Sequence, residues 1–159
     1  MSISGAIKKF LMEQKVKSVL KNSKIGATTD LVLFNIRRNS GSLSKYDDLR
    51  IDFIKSSNHL RGAVGERFIS IIANEQYFGY IQGLFEGEIE SVQKKVACIV
   101  IDCSGTDNVS GFITYLASIL ANKKINMHGF FTSYDDITLI IDEEKAFEYV
   151  EYIKKVLKA

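Results

Sequence analysis

VACIVIDCSGTDNVSGFITYLASILANKKINMHGFFTSYDDITLIIDEEKAFEYVEYIKKVL, residues 96–157, is the stretch whose pattern decides the fold. Residues 96–101 form a near-continuous apolar run, as expected of a strand covered on at least one face. A polar loop follows over residues 102–108. Val109, Phe112, Ile113, Leu116 and Leu120 then recur at helical steps, and Thr106, Asp107 and Asn108 offer N-cap oxygens ahead of them. Residues 125–131 read as a strand, 133–136 as a turn and 137–141 as a second strand. The spacing predicts a last helix over 143–157 with Ala146, Phe147, Val150, Ile153 and Leu157 inward. Glu143 and Glu144 suit its positive start, and Lys154, Lys155 and Lys158 its negative end. The order is strand, helix, strand, strand, helix. The closing strand of a βαββαβ unit is missing: either it comes from elsewhere in the chain or the tail ends early.

Working back from this stretch, residues 4–22 read as a helix with two apolar stripes. One holds Ile7, Phe10 and Leu11, the other Met12, Val16, Val19 and Leu20. The lysines between them (Lys8, Lys9, Lys15, Lys17, Lys21) read as a solvated helix face. Asn22, Ser23 and Gly26 break the pattern. Residues 30–36 (DLVLFNI) read as a strand, 39–42 as a turn, and 44–55 as a helix with Tyr46, Leu49 and Phe53 on one face. Residues 60–64 and 67–73 read as strands, and 75–85 as a helix.

The two halves look alike. Residues 69–75 align with 137–143 at an offset of 68, and the following helices align at 69, which pairs Phe78 with Phe147 and Tyr80 with Tyr149. A repeat implies two supersecondary blocks burying a shared face. Residues 88–92 are then a candidate closing strand for the first block, or the blocks exchange edges and so cover exposed strands.

Composition narrows the class. Of the 159 residues, 46% are apolar and 25% charged, enough for a buried core. The net charge of +2 is too balanced to argue for nucleic acid or an acidic membrane. No apolar run approaches the ~20 residues that cross a bilayer, and the first residues show no cleavage pattern. Cys98 and Cys103 have no metal-ligand spacing and read as reduced thiols. A cytoplasmic location, no membrane association, no metal and no cofactor are the expectations. The phosphate-loop, nucleophile-elbow and zinc-protease motifs are absent, and His59 and His128 are the only histidines, so no enzymatic activity is expected.

Residues 96–157 resemble an ACT domain. The resemblance rests on the apolar first strand ending at Asp102, Gly111 at the loop–helix junction, and the run Leu116, Ala117, Leu120, Ile125, Asn126. It extends to a strand pair ending at Asp142, and residues 130–146 look like the tandem amino-acid-sensing ACT proteins. Ser110 stands where the family often has Pro, the loop from 102 to 111 is long, and the first half matches mainly through its third strand and second helix. The resemblance implies an α+β fold of tandem ferredoxin-like βαββαβ ACT-type modules with antiparallel sheets. It divides the chain into an N-terminal helix (1–26), a first, degenerate module (27–93) and a second module (94–159). It also implies side-by-side pairing, a homo-oligomer, and an amino acid or similar small ligand held at the pairing interface.

A ligand carboxylate suits a loop that feeds a helix N-terminus, where backbone N–H groups and a partial positive charge converge. Ser104, Gly105, Thr106, Asp107, Asn108 and Gly111 occupy that place, with Asp107 or Asp102 available to the ammonium. Asn126 and His128, alternate residues of the second strand, would add hydrogen bonds. Each has a simpler reading: Asp107 or Asn108 as an N-cap, Gly105 as a turn, Gly111 as a close helix–sheet contact, Asn126 and His128 as surface. In the first module the matching loop is residues 39–42. The function expected is a regulatory amino-acid-binding protein that signals occupancy to a protein partner. The alternative is a ligand-free interaction or dimerisation module on the same fold.

Overall fold

Two strands run well beyond the apolar segments that announce them. In the computed structural model, β1 spans Lys24–Arg37 and β4 spans Ile89–Asp102, both 14 residues. Between and after them come α1 (Ser40–Ser56), β2 (Leu60–Val64), β3 (Phe68–Asn74) and a 3-10 turn (Glu75–Tyr77) leading into α2 (Phe78–Leu84). β4 is followed by α3 (Phe112–Asn122), β5 (Met127–Ser133), β6 (Asp136–Asp142) and α4 (Glu143–Lys158). The structure describes Gly5 and residues 24–56, 60–102, 112–133 and 136–158; the expected helix over 4–22 and the loop over 103–111 lie outside the described residues. The chain divides into two units, one of Thr29–Val96 and one of Met1–Thr28 with Ala97–Ala159.

The unit of Thr29–Val96 is a complete βαββαβ arrangement with strand order β2-β3-β1-β4. β1 pairs antiparallel with β3 from Leu31↔Asn74 to Arg37↔Phe68, and β2 pairs with β3 from Leu60↔Ala73 to Val64↔Ile69. On the other side of β1, the Arg37 amide donates to the Glu88 carbonyl at 2.8 Å. The start of β4 is therefore the closing strand, for which residues 88–92 were one of the two expected sources. Alternation sends Val32, Phe34, Ile36, Ile69, Ile71 and Ala73 to one face, where Tyr46, Leu49 and Phe53 of α1 and Ile81 and Phe85 after β3 cover them. Phe34 stacks on Phe78 with ring centroids 5.7 Å apart.

The unit that contains the second half of the chain has strand order β5-β6-β4-β1. Its fourth strand is the start of β1, residues 24–28, and Ile25 packs against the core. The closing strand missing from the C-terminal end is thus supplied from the beginning of the chain. β5 and β6 pair antiparallel from Met127↔Ile141 to Ser133↔Asp136. Ala97, Ile99, Ile101, Ile137, Leu139 and Ile141 meet Leu116, Ile119 and Leu120 of α3 and Ala146, Tyr149 and Ile153 of α4. β1 and β4 share the burial profile of their second halves, and each has one left-handed non-glycine residue, Asp30 (φ 57°) and Lys95 (φ 53°), at the same place in the strand. Each strand closes one unit and then opens the other.

Both faces of the strands are buried at their centres. Leu31, Leu33, Ile72 and Val96 in one unit, and Cys98, Thr138 and Ile140 in the other, alternate with the helix-facing residues and are buried too. That is why 96–101 reads as a continuous apolar run rather than an alternating one. The burial also corrects the register of the repeat. The offset of 68 continues from β3/β6 into the helices, pairing Ile81 with Tyr149 and Phe85 with Ile153, all fully buried. The expected offset of 69 fails, and with it the inward placement of Phe147, which is 78% exposed. Ala146, Tyr149 and Ile153 form the i, i+3, i+7 stripe instead, and Phe147 lies about 100° round the helix from Ala146.

Tyr149 carries a phenol into this apolar core, and its hydroxyl has no hydrogen-bond partner among the described residues. Burial pushes its ionisation well above the ordinary tyrosine range, so it stays protonated. A buried unpaired hydroxyl costs about 1–3 kcal/mol. Tyr149→Phe should therefore leave the urea midpoint unchanged or raise it, whereas Tyr149→Ala should lose about 3–5 kcal/mol.

Candidate functional site

In the unit of Thr29–Val96, the junction between β1 and α1 is closed on itself. Asn39 stands at the N-cap position of α1 and Ser42 three residues on. The Asn39 side-chain oxygen accepts from the Ser42 amide at 2.8 Å, and the Ser42 hydroxyl oxygen accepts from the Asn39 amide at 2.8 Å. This is a reciprocal capping box with Asn and Ser in the two roles. The Ser42 O–H is within reach of the Arg37 carbonyl at 2.8 Å and the Asn39 carbonyl at 3.1 Å, and the side chain is fully buried. The flanking cations are engaged as well. Arg37 pairs with Glu90 at 3.0 Å and donates to the Gly87 carbonyl; Arg38 donates to the Gly65 carbonyl at 2.8 Å; Lys45 meets Glu88 at 2.7 Å. A polar row, Ser70–Asn35–Ser91, crosses three strands on the sheet face away from α1 and α2 at 2.7 and 3.0 Å.

In the other unit, Ser104, Gly105, Thr106, Asp107, Asn108 and Gly111 all lie outside the described residues. Asn126 and His128 are described, and they are not equivalent. Asn126 is exposed and precedes β5 rather than belonging to it. His128 is the extra residue of a β-bulge, since the register moves from Met127↔Ile141 to Gly129↔Ile140. The bulge breaks the alternation that would have set Asn126 and His128 on one strand face. It brings the His128 Nε2 to 2.6 Å from Asp142 Oδ1.

Asp142 ends β6 and directly precedes α4, so the contact joins an edge strand to a helix start. The partial positive charge of that helix end favours the carboxylate, and Glu143 and Glu144 follow in the first turn. Both side chains of the pair are partly exposed, at 22% and 31%. Sequence reasoning used Asp142 only as a family landmark. The signal was the repeat: Asp142 falls where the first unit has Asn74, also directly ahead of a helix. Among the described residues, no group of three His, Cys, Asp or Glu is placed to hold a metal ion, and no helix is long and apolar enough to cross a membrane.

No protein-family model and no curated protein matches this chain. Solved structures do match it. A structure of aspartokinase α and β subunits aligns with a TM-score of 0.69 at 14% identity, over 86% of this chain and 94% of that one. The regulatory subunit of aspartate kinase from Thermus thermophilus, in its ligand-free form, aligns with a TM-score of 0.61 at 13% identity, over 83% and 95%. Aspartate kinase from Clostridium acetobutylicum, described as an allosteric enzyme, gives 0.65 at 10% identity over 84% of this chain, which spans 34% of that enzyme's length. The shared property at these identities is the fold, the ACT-like arrangement of aspartate kinase regulatory domains.

The capping box and the bulge pair make separable predictions. Asn39→Ala should lower stability by about 1 kcal/mol in urea unfolding. His128→Ala should cost less than about 1 kcal/mol, because solvent screens a partly exposed pair. A larger loss for His128→Ala than for Asn39→Ala would mean that the bulge depends on the imidazole for more than this contact.

Proposed function

We propose that this chain is a regulatory small-molecule-binding protein of ACT type, built from a first module over about residues 27–93 and a second over 94–159, and that its ligand is an amino acid. The observation that carries the reading is coverage in both directions. Most of this chain aligns with nearly the whole of a regulatory subunit of aspartate kinase. The aligned partner is a regulatory subunit rather than a whole kinase, and the effect on chemistry is proposed to pass through a partner or a second copy of the chain. The protein is proposed to act in the cytoplasm, as a homo-oligomer, with no catalytic activity of its own. Ligand occupancy shifts a partner only by differential affinity for its states.

The proposed site is the second module's loop: Ser104, Gly105, Thr106, Asp107 and Asn108 with Gly111, and Asn126 and His128 beside it. Backbone N–H groups ahead of α3 would take the carboxylate, and Asp107 the ammonium. The first module is proposed to bind nothing at its corresponding loop. There the Asn39–Ser42 box and the paired Arg37 and Arg38 already use the groups a carboxylate would need. That same observation favours the second reading, a ligand-free interaction module, for the first half of the chain.

A thermal-shift screen of the full chain against the twenty amino acids tests the proposal. One amino acid present at 100 times its dissociation constant should stabilise by about 2.7 kcal/mol. Asp107→Ala should abolish that shift without lowering the unliganded midpoint by more than a cap residue is worth, about 1 kcal/mol. A flat profile at millimolar concentrations of every amino acid would overturn the sensor reading and leave the interaction module.

A further inference from the structure

Phe147 is the most exposed large apolar side chain among the described residues, at 78%. It lies on the side of α4 away from Ala146, Tyr149 and Ile153, which fill the core. The fold does not require it. At the repeat offset of 68 the first unit has Gly79 in its place, and a Cβ built there meets open space. Glu144, Glu151 and Lys154 share the stripe of Phe147, at steps of 3, 4 and 3 along the helix. The first unit has Gln76, Gly83 and Glu86 at those positions, with no cation and no large apolar residue. Glu144 and Lys154 are exposed, and among the described residues neither has an ion-pair partner. Charge is also divided along α4. Glu144, Glu148 and Glu151 stand on the side of its start, and Lys154 and Lys155 on the side of its end.

We infer that this stripe is a contact between two copies of the chain, α4 against α4, antiparallel about a twofold axis at the level of Tyr149. Reversal sets Glu144 opposite Lys154 of the second copy, and the symmetry repeats that pair. The two Phe147 residues then lie about 6 Å apart along the helix axes, a spacing at which aromatic rings meet. The opposed helix dipoles favour the same arrangement. The occupant is a second copy because the stripe carries its own counter-charges in reversed order. A single helix pair buries less than the roughly 1,200 Å² of a stable interface, so the association is weak and concentration-dependent. This contact rests on the homo-oligomer proposed above and is independent of the amino-acid site.

Sedimentation equilibrium of the full chain, taken up to millimolar protein, is the test. The unaltered chain should associate, and Phe147→Ala should raise the dissociation constant at least about tenfold. That side chain is exposed, so its truncation leaves no cavity, and an unchanged urea midpoint in dilute solution would show the fold retained. Glu144→Lys and Lys154→Glu should each weaken association alone, because each sets like charges opposite one another. An equimolar mixture of these two variants should associate again, since every facing pair in the mixed dimer is then opposite in sign. Local damage to α4 by either substitution would not be rescued by mixing. Association indifferent to all three substitutions would overturn the α4 contact and leave the homo-oligomer on another face. A chain that stays monomeric at millimolar concentration would overturn both, and the thermal-shift screen would still decide the amino-acid site.

Discussion

β1 and β4 each do two jobs, and the organisation of the chain follows from that constraint. Residues 24–28 close the sheet of the second-half unit, and the continuation of the same strand opens the first-half unit. β4 reverses the roles, its start closing one unit and its end opening the other. A four-stranded sheet lacking its closing strand would expose the long edge of its most buried strand, where hydrogen-bonding groups and apolar side chains lie together. Each unit avoids this only because a segment covalently tied to the other completes it. A cut at residue 94 would therefore not isolate a whole module. The pairing of 24–28 with a strand beyond residue 96 is also a long-range contact, and such topologies fold slowly.

The changeovers leave a mark on the backbone. Asp30 and Lys95 hold a conformation that costs a non-glycine residue about 1–3 kcal/mol. The two sit at the same place, directly ahead of the four-residue buried run of each strand, so the strain is part of the repeated design rather than an accident of one loop. The flanks beyond them are polar and half-exposed, as in KIGATT and ESVQKK. This is why sequence pattern found the apolar centres, residues 30–36 and 96–101, and missed the long ends. A strand flank that pairs on one side and meets water on its faces has no period-2 hydrophobic signal to detect.

Elsewhere the sequence was informative where burial is one-sided. β2 was read at its observed bounds, and α1 was recognisable from Tyr46, Leu49 and Phe53 although Ile51 and Ile54 face outward. α4 was placed correctly but rotated. Phe147 outranked Tyr149 on hydrophobicity, while the structure buries the phenol and exposes the phenyl ring. The stripe is set by where Ala146 and Ile153 lie, and a small residue such as Ala146 leaves room for a large neighbour one turn on. Apolarity alone does not encode that room.

The expected site at residues 104–111 lies outside the described residues, so only its first-unit counterpart can be compared with the structure. A β-strand, a polar loop and a helix start were enough to mark residues 104–111 as a place where N–H groups converge. The first unit shows how such a place can be spent. Its junction holds only Arg38 and Asn39 between β1 and α1, and Asn39 and Ser42 use each other's amides to close it. No length is left over to curve round a ligand. In the second unit the corresponding residues, 103–111, lie outside the described residues. A cap needs one side-chain oxygen and three helical residues. The first unit's junction is thus closed by its own side chains, and this is the reason to look for any ligand elsewhere than at residues 39–42.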